Sequence, residues 1–87
     1  MTRLSVPLSA LEIFAEAGQT CSFRVAAEHL ALSTSAVSQA VRKLEERLAC
    51  PLFRRVGNGL QLTVEGENLL KHVVKGFDEM RLGLQSL

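Results

Sequence analysis

Two apolar series at helical spacing, set almost end to end, constrain this chain more than any other feature. Phe23, Ala26, Ala27 and Leu30 follow the i, i+3, i+4, i+7 pattern of an amphipathic helix, and Val37, Val41, Leu44 and Leu48 form a second, longer stripe. Ser22 and Ser33 stand where a hydroxyl can cap each helix. A short helix, a tight turn and a longer helix between Phe23 and Arg42 make a helix-turn-helix. Ala27 is small where the two helices must approach, and Val37 is apolar where the second must anchor. Ala31 occupies the turn, where the freer backbone of glycine is more usual.

The flanks complete a small fold. Ser9 and Glu12 have the spacing of a capping box, Leu8 and Ile13 that of a hydrophobic staple, and Gly18 supplies a stop, which predicts an additional helix ahead of the pair. Pro51 ends the long stripe, because proline cannot continue a helix. Beyond it, Leu52–Val56 and Leu60–Thr63 are short β-compatible runs around Gly57-Asn58-Gly59, which predicts a hairpin resting on the helices. Thr63 can cap a last helix whose apolar residues, Leu70, Val73, Phe77, Met80, Leu84 and Leu87, alternate three and four apart. That is a heptad seam, too narrow to face a whole core and suited to another helix. Gly76 and Gly83 lie beside it, small enough to let two helices approach closely.

The face of the longer helix opposite its apolar stripe carries the chemistry. Ser35, Ser38, Gln39 and Arg42 recur at i, i+3, i+4, i+7. Hydroxyls meet bases or phosphates, glutamine pairs with adenine, and arginine pairs with guanine or phosphate, so such a face suits a DNA major groove. Any solvated face is polar, but this one lacks the long acidic and basic side chains, from Thr34 to Val41, that an ordinary exposed helix carries. Charge adds to the case. The whole chain has ten basic and nine acidic residues, yet Arg42 to Arg55 holds five basic against two acidic, and the segment from Val64 onward three against four. Arg54 and Arg55 on the hairpin can reach a phosphate backbone as a wing, or can be a solvated strand end bridged to Glu45 or Glu46.

Composition removes other classes. Hydrophobic residues at 47% with 22% charged fit a globular chain, and no run approaches the about 20 apolar residues of a membrane span. The N-terminus MTRLSVPLSALE has no apolar stretch of signal-peptide length, and two cysteines make no disulfide framework, so a reducing cytoplasm is expected. Cys21 and Cys50 read as small apolar fillers at helix ends, and His29 and His72 as surface or half-buried polar residues. Neither set has the companions that a metal site or a catalytic constellation needs, so no metal, no cofactor and no enzyme are expected.

At this point the residues resemble a known family. Ser22-Phe23 with Ala26-Ala27, Leu30-x-x-Ser33-x-Ser35-Ala36-Val37-Ser38, Leu44-Glu45, Pro51-Leu52-Phe53-x-Arg55 and Gly59-x-x-Leu62-Thr63-x-x-Gly66 are similar, in order and spacing, to the N-terminal DNA-binding region of LysR-type transcriptional regulators. Within the family the resemblance is nearest to the subgroup containing glycine-cleavage and β-lactamase regulators. It implies a mainly α fold with a small β-hairpin: a winged helix-turn-helix over residues 1–63, then a long linker helix over 64–87 that pairs antiparallel in a homodimer. It also implies binding to interrupted dyad sites in bacterial promoter DNA. Ser22, Ser33, Thr34, Ser35, Ser38, Gln39, Arg42, Arg54 and Arg55 form the expected DNA-contacting set.

Four positions depart from the family pattern. Thr34 and Ala40 stand where glutamine is common, Ala49 replaces a usual glycine, and Asn58 stands where the wing often has a basic residue. Family members continue into a larger effector-binding domain, for which 87 residues leave no room, so a small-molecule effector is expected only of a part absent here. A winged-helix module that binds protein instead of DNA is the rival; near-neutral net charge favours it and the Thr34–Arg42 face disfavours it.

Overall fold

The computed structural model describes residues 4–87, so residues 1–3 of the N-terminal stretch read above lie outside the described residues. Helix α1 spans Leu8–Thr20, α2 Phe23–Leu30 and α3 Thr34–Leu48; strands β1 (Phe53–Val56) and β2 (Gly59–Leu62) form an antiparallel hairpin, and α4 runs Val64–Gln85.

Three helix starts follow their local sequence. Ser22 Oγ accepts the Val25 N–H at 3.1 Å, Ser33 Oγ the Ala36 N–H at 3.1 Å and Thr63 Oγ1 the Gly66 N–H at 3.0 Å. Each hydroxyl satisfies a first-turn donor that the helix itself leaves without a partner. Thr63 does more, since its hydroxyl also donates to the Pro51 carbonyl at 2.8 Å and so ties the base of the hairpin to the start of α4.

The boundaries of α1 differ from the sequence reading. Its N-cap is Pro7, with no side-chain capping bond, so the Ser9–Glu12 box does not form. Val6, not Leu8, is the residue buried ahead of the helix, while Leu8 is exposed. Gly18 does not stop the helix either. It lies buried inside α1, where a Cβ would meet the Leu70 side chain of α4 at 3.0 Å. Glycine there serves a close helix–helix approach, and the helix ends two residues later with Cys21 in the left-handed region at φ 52°.

Left-handed ends recur. Ala31 after α2 has φ 57° and Ala49 after α3 has φ 52°, each closing its helix through its own backbone N–H. Alanine carries there the steric cost that glycine would avoid, about 1–2 kcal/mol per residue. In the hairpin, only Gly57 of the two-residue loop Gly57-Asn58 has positive φ, at 58°, and Gly59 already belongs to β2, opposite Val56.

The core draws on the first three helices and the wing: Phe14 and Ala17 of α1, Ala26 and Ala27 of α2, Val37, Val41 and Leu44 of α3, with Leu52 and Phe53 at the base of the wing. Phe53 packs edge-on against Phe14 (centroids 5.7 Å apart) and against Phe23 (5.5 Å), an arrangement aromatic quadrupoles favour. One side chain thus fixes the wing to the first two helices.

Packing does not stop at residue 63. Leu69, Leu70 and Val73 of α4 lie against the same core, so Leu70 and Val73, read from sequence as the start of a dimer seam, are turned inward. The reason is length. At about 1.5 Å per residue, the 13 residues of α1 cannot cover the 22 of α4, and the apolar stripe is left uncovered beyond them. Phe77 is half-buried at the transition, whereas Met80 and Leu84 are 43% and 70% exposed and Leu87 is fully exposed. Gly76 and Gly83 have open space around them.

Candidate nucleic-acid interface

Helix α3 presents its two faces as the periodicity requires. Val37, Val41 and Leu44 are buried, while Ser35, Gln39 and Arg42 are exposed and Ser38 is half-buried between them. Ala40 falls on a flank, half-buried in a cleft shared with Pro7, Ala10 and Ile13, and so stands apart from the polar face.

A groove runs beside the first turn of this helix. Thr34, Ser35 and Ser38 of α3 line it together with Ser22 and Arg24 at the start of α2, and with Arg55, Asn58 and Leu60 of the wing. Next to it, Ser38, Arg42, Arg54 and Arg55 surround a smaller depression floored by Phe23, Val41 and Phe53. Strand alternation explains the wing's part in this. Arg55 leaves the hairpin on the same face as Phe53, toward the helices, and Arg54 leaves from the other face beside Gln61.

Of the nine residues expected to meet DNA, Ser22, Thr34, Ser35, Ser38 and Arg55 line the groove and Arg42 and Arg54 the adjoining depression. Gln39 lies exposed one turn along from Ser35. Ser33 is occupied as the α3 cap, with its hydroxyl 3.3 Å from that of Ser35.

Two side chains matter here, one that the sequence did not single out and one to which it gave another role. Arg24 lines the groove and carries an exposed ion pair to Glu28, Nη1 to Oε1 2.6 Å. It is a lone basic residue just after a cap, and its only signal was a charge in the first turn of a short helix. Glu45 is the other. Far from bridging to a basic side chain, its Oε2 accepts the backbone N–H groups of Leu52 (2.7 Å) and Phe53 (3.1 Å). Neither Glu45 nor Glu46 forms an ion pair among the described residues, so the salt-bridged alternative for the wing arginines does not hold. Arg54 and Arg55 are exposed and carry no carboxylate partner among the described residues.

Cys21 also departs from expectation. It is exposed at the end of α1 and reaches the rim of the groove, so it fills no core space; Cys50 is half-buried. Among the described residues no group of three or more His, Cys, Asp or Glu side chains could hold a metal ion, and no helix is long and apolar enough to cross a membrane.

Comparison with known proteins places this arrangement. The model of the bacterial regulatory helix-turn-helix proteins of the lysR family matches residues 8–67. The chain is 49% identical over 78 residues to the HTH-type transcriptional regulator PerR of Escherichia coli (strain K12), a match covering 90% of this chain and 26% of that protein. It is 46% identical over 80 residues to the HTH-type transcriptional activator AmpR of Citrobacter freundii, covering 92% of this chain and 28% of that one. The chain therefore spans about a quarter of the length of the curated relatives it matches. Among solved structures, the BenM DBD in its catB site 1 DNA complex superposes with a TM-score of 0.87 over 93% of this chain and 90% of that one, at 23% identity. A probable transcriptional regulator from Pseudomonas aeruginosa gives 0.86 at 32% identity, over 93% of this chain and 27% of that one.

Proposed function

The chain belongs to the lysR family of bacterial regulatory helix-turn-helix proteins, carrying that family's DNA-binding unit, and from this membership we propose that it reads promoter DNA as a homodimer, with α3 in the major groove and the wing on the flanking backbone. One observation carries the reading. Ser35 and Ser38 of the uncharged polar face of α3 open onto the groove and depression that Arg42 and Arg55 line, with Gln39 exposed one turn along, and Arg42, Arg54 and Arg55 have no carboxylate partner among the described residues.

The division of labour follows from the chemistry of each group. Ser38 and Gln39 sit where base edges pass, and amide and hydroxyl groups discriminate bases by donor and acceptor pattern. Arg42, Arg54 and Arg55 supply phosphate neutralisation, which sets orientation and bulk affinity. Ser22, Thr34 and Ser35 can give hydroxyl donors to backbone oxygens, and Ser33 serves chiefly as the cap that holds α3 at its angle.

The exposed outer half of α4 supports the dimer. Met80, Leu84 and Leu87 continue the stripe that Val73 begins, and a second α4 running antiparallel would cover them. Two α3 helices so linked read half-sites about one helical turn apart, or a multiple of it, ~34 Å per turn.

Selection from a randomised duplex pool tests the reading. The expected result is an interrupted dyad with half-sites in helical phase. Recovery of no motif, or of an asymmetric single site, contradicts it.

A further inference from the structure

Arg24 is placed against the interests of its own helix. It lies in the first turn of α2, where the helix dipole favours negative charge, and its partner Glu28 follows it at i+4, the less favourable order for such a pair. Both side chains are well exposed, 72% and 62%, so water screens the pair and little holds it together. Helix stability therefore does not account for an arginine here. Its surroundings do. The same groove holds the hydroxyls of Ser22, Thr34 and Ser35 and the guanidinium of Arg55. At this helix start, Ser22 already takes the N–H groups of Val25 and Ala26, while those of Phe23 and Arg24 fall in the first turn, where the helix offers no acceptor.

We propose that Arg24 is a phosphate contact that Glu28 restrains in the free protein. On DNA the guanidinium leaves Glu28 and turns to a backbone phosphate seated against the start of α2, in the groove that Arg55 approaches from the wing. Glu28 thereby acts as an internal competitor of the phosphate and lowers affinity for any duplex, whatever its sequence. This rests on the DNA-binding reading above, and it adds a residue outside the recognition helix and the wing, with a built-in attenuator.

The test uses the 87-residue chain and a random-sequence duplex, titrated at several salt concentrations. Arg24→Gln is expected to reduce the slope of log K against log salt by ~0.9, the value of one lost phosphate contact. Arg24→Lys is expected to keep the slope. Glu28→Gln is expected to tighten binding several-fold, and that gain is expected to vanish in the Arg24→Gln/Glu28→Gln double variant. Thermal melting of each variant, with both positions on the surface, is expected to stay close to the parent. Binding by the parent chain with an unchanged slope in Arg24→Gln overturns this proposal and leaves the DNA-binding reading standing. A gain from Glu28→Gln that persists without Arg24 overturns the competitor role. Failure of the parent chain to bind duplex at low salt overturns both.

Discussion

Glu45 of α3 accepts the Leu52 backbone N–H at 2.7 Å, joining α3 to the first residue of chain that turns back after Pro51. The same oxygen takes the Phe53 N–H, so one carboxylate sets where the wing begins relative to α3. Leu52 is 2% exposed, so little water is at hand to replace the carboxylate. Glu45→Ala is therefore expected to cost about 1–3 kcal/mol, the penalty of leaving buried donors without acceptors. Glu45→Gln, which retains an acceptor oxygen, is expected to lose less. Urea unfolding of both variants checks this, and equal losses would mean that the carbonyl-type acceptor is not what matters.

Two buried glycines behave oppositely toward a methyl group. At Gly66 a Cβ would lie 2.1 Å from the Leu52 carbonyl oxygen, a backbone atom that cannot step aside without moving the wing. At Gly18 it would meet only the end of the Leu70 side chain. Gly66→Ala is expected to destabilise by more than about 2 kcal/mol, within or above the usual cost of overpacking. Gly18→Ala gains up to about 1 kcal/mol of helix propensity against the displacement of Leu70, and is expected to fall within about 1 kcal/mol of the parent. Denaturant midpoints decide; similar losses at both would mean that α4 sits differently on α1.

Ala31 and Ala49 hold left-handed backbone at φ 57° and 52°. Replacing either with glycine removes a Cβ clash of about 1–2 kcal/mol, offset in part by the entropy of the unfolded chain. A net gain near 1 kcal/mol is expected for each, or a rise of ~4–8 °C in Tm. Calorimetry showing no rise would mean that these caps relax to other conformations.

What sequence could and could not disclose divides along range. The caps at Ser22, Ser33 and Thr63 were legible because each is a bond to the third residue ahead. The polar face of α3 was legible because it is a matter of helical phase. The ends of α1 were not, because they are decided from outside: Val6 is buried against the core and Gly18 makes room for Leu70, distant in the chain. Glu45 was misjudged for the same reason, since its partners are backbone groups brought beside it only by the reversal at Pro51. Leu70 and Val73 obeyed the heptad spacing, yet they pack against the core of their own chain.

The inward turn of Leu70 and Val73 leaves the proposed dimer contact to the outer half of α4. Met80 and Leu84 are exposed and contribute nothing to the core, so Met80→Asp with Leu84→Asp is expected to leave the fold intact and abolish association. Light scattering is expected to report a monomer for the variant and a dimer for the parent chain. An unchanged dimer would move the interface away from the outer half of α4.

The proposed division of labour gives base reading to Ser38 and Gln39 and phosphate neutralisation to the arginines. Its most direct measurement is the ratio of affinity for the selected site to affinity for random duplex, in the parent chain and in Ser38→Ala and Gln39→Ala. Each substitution is expected to lower that ratio by the equivalent of about 1–3 kcal/mol if the lost contact is bidentate, and by less for a single hydroxyl, with the random-duplex affinity nearly unchanged. Equal loss on both duplexes would contradict the claim and make this face of α3 a backbone contact.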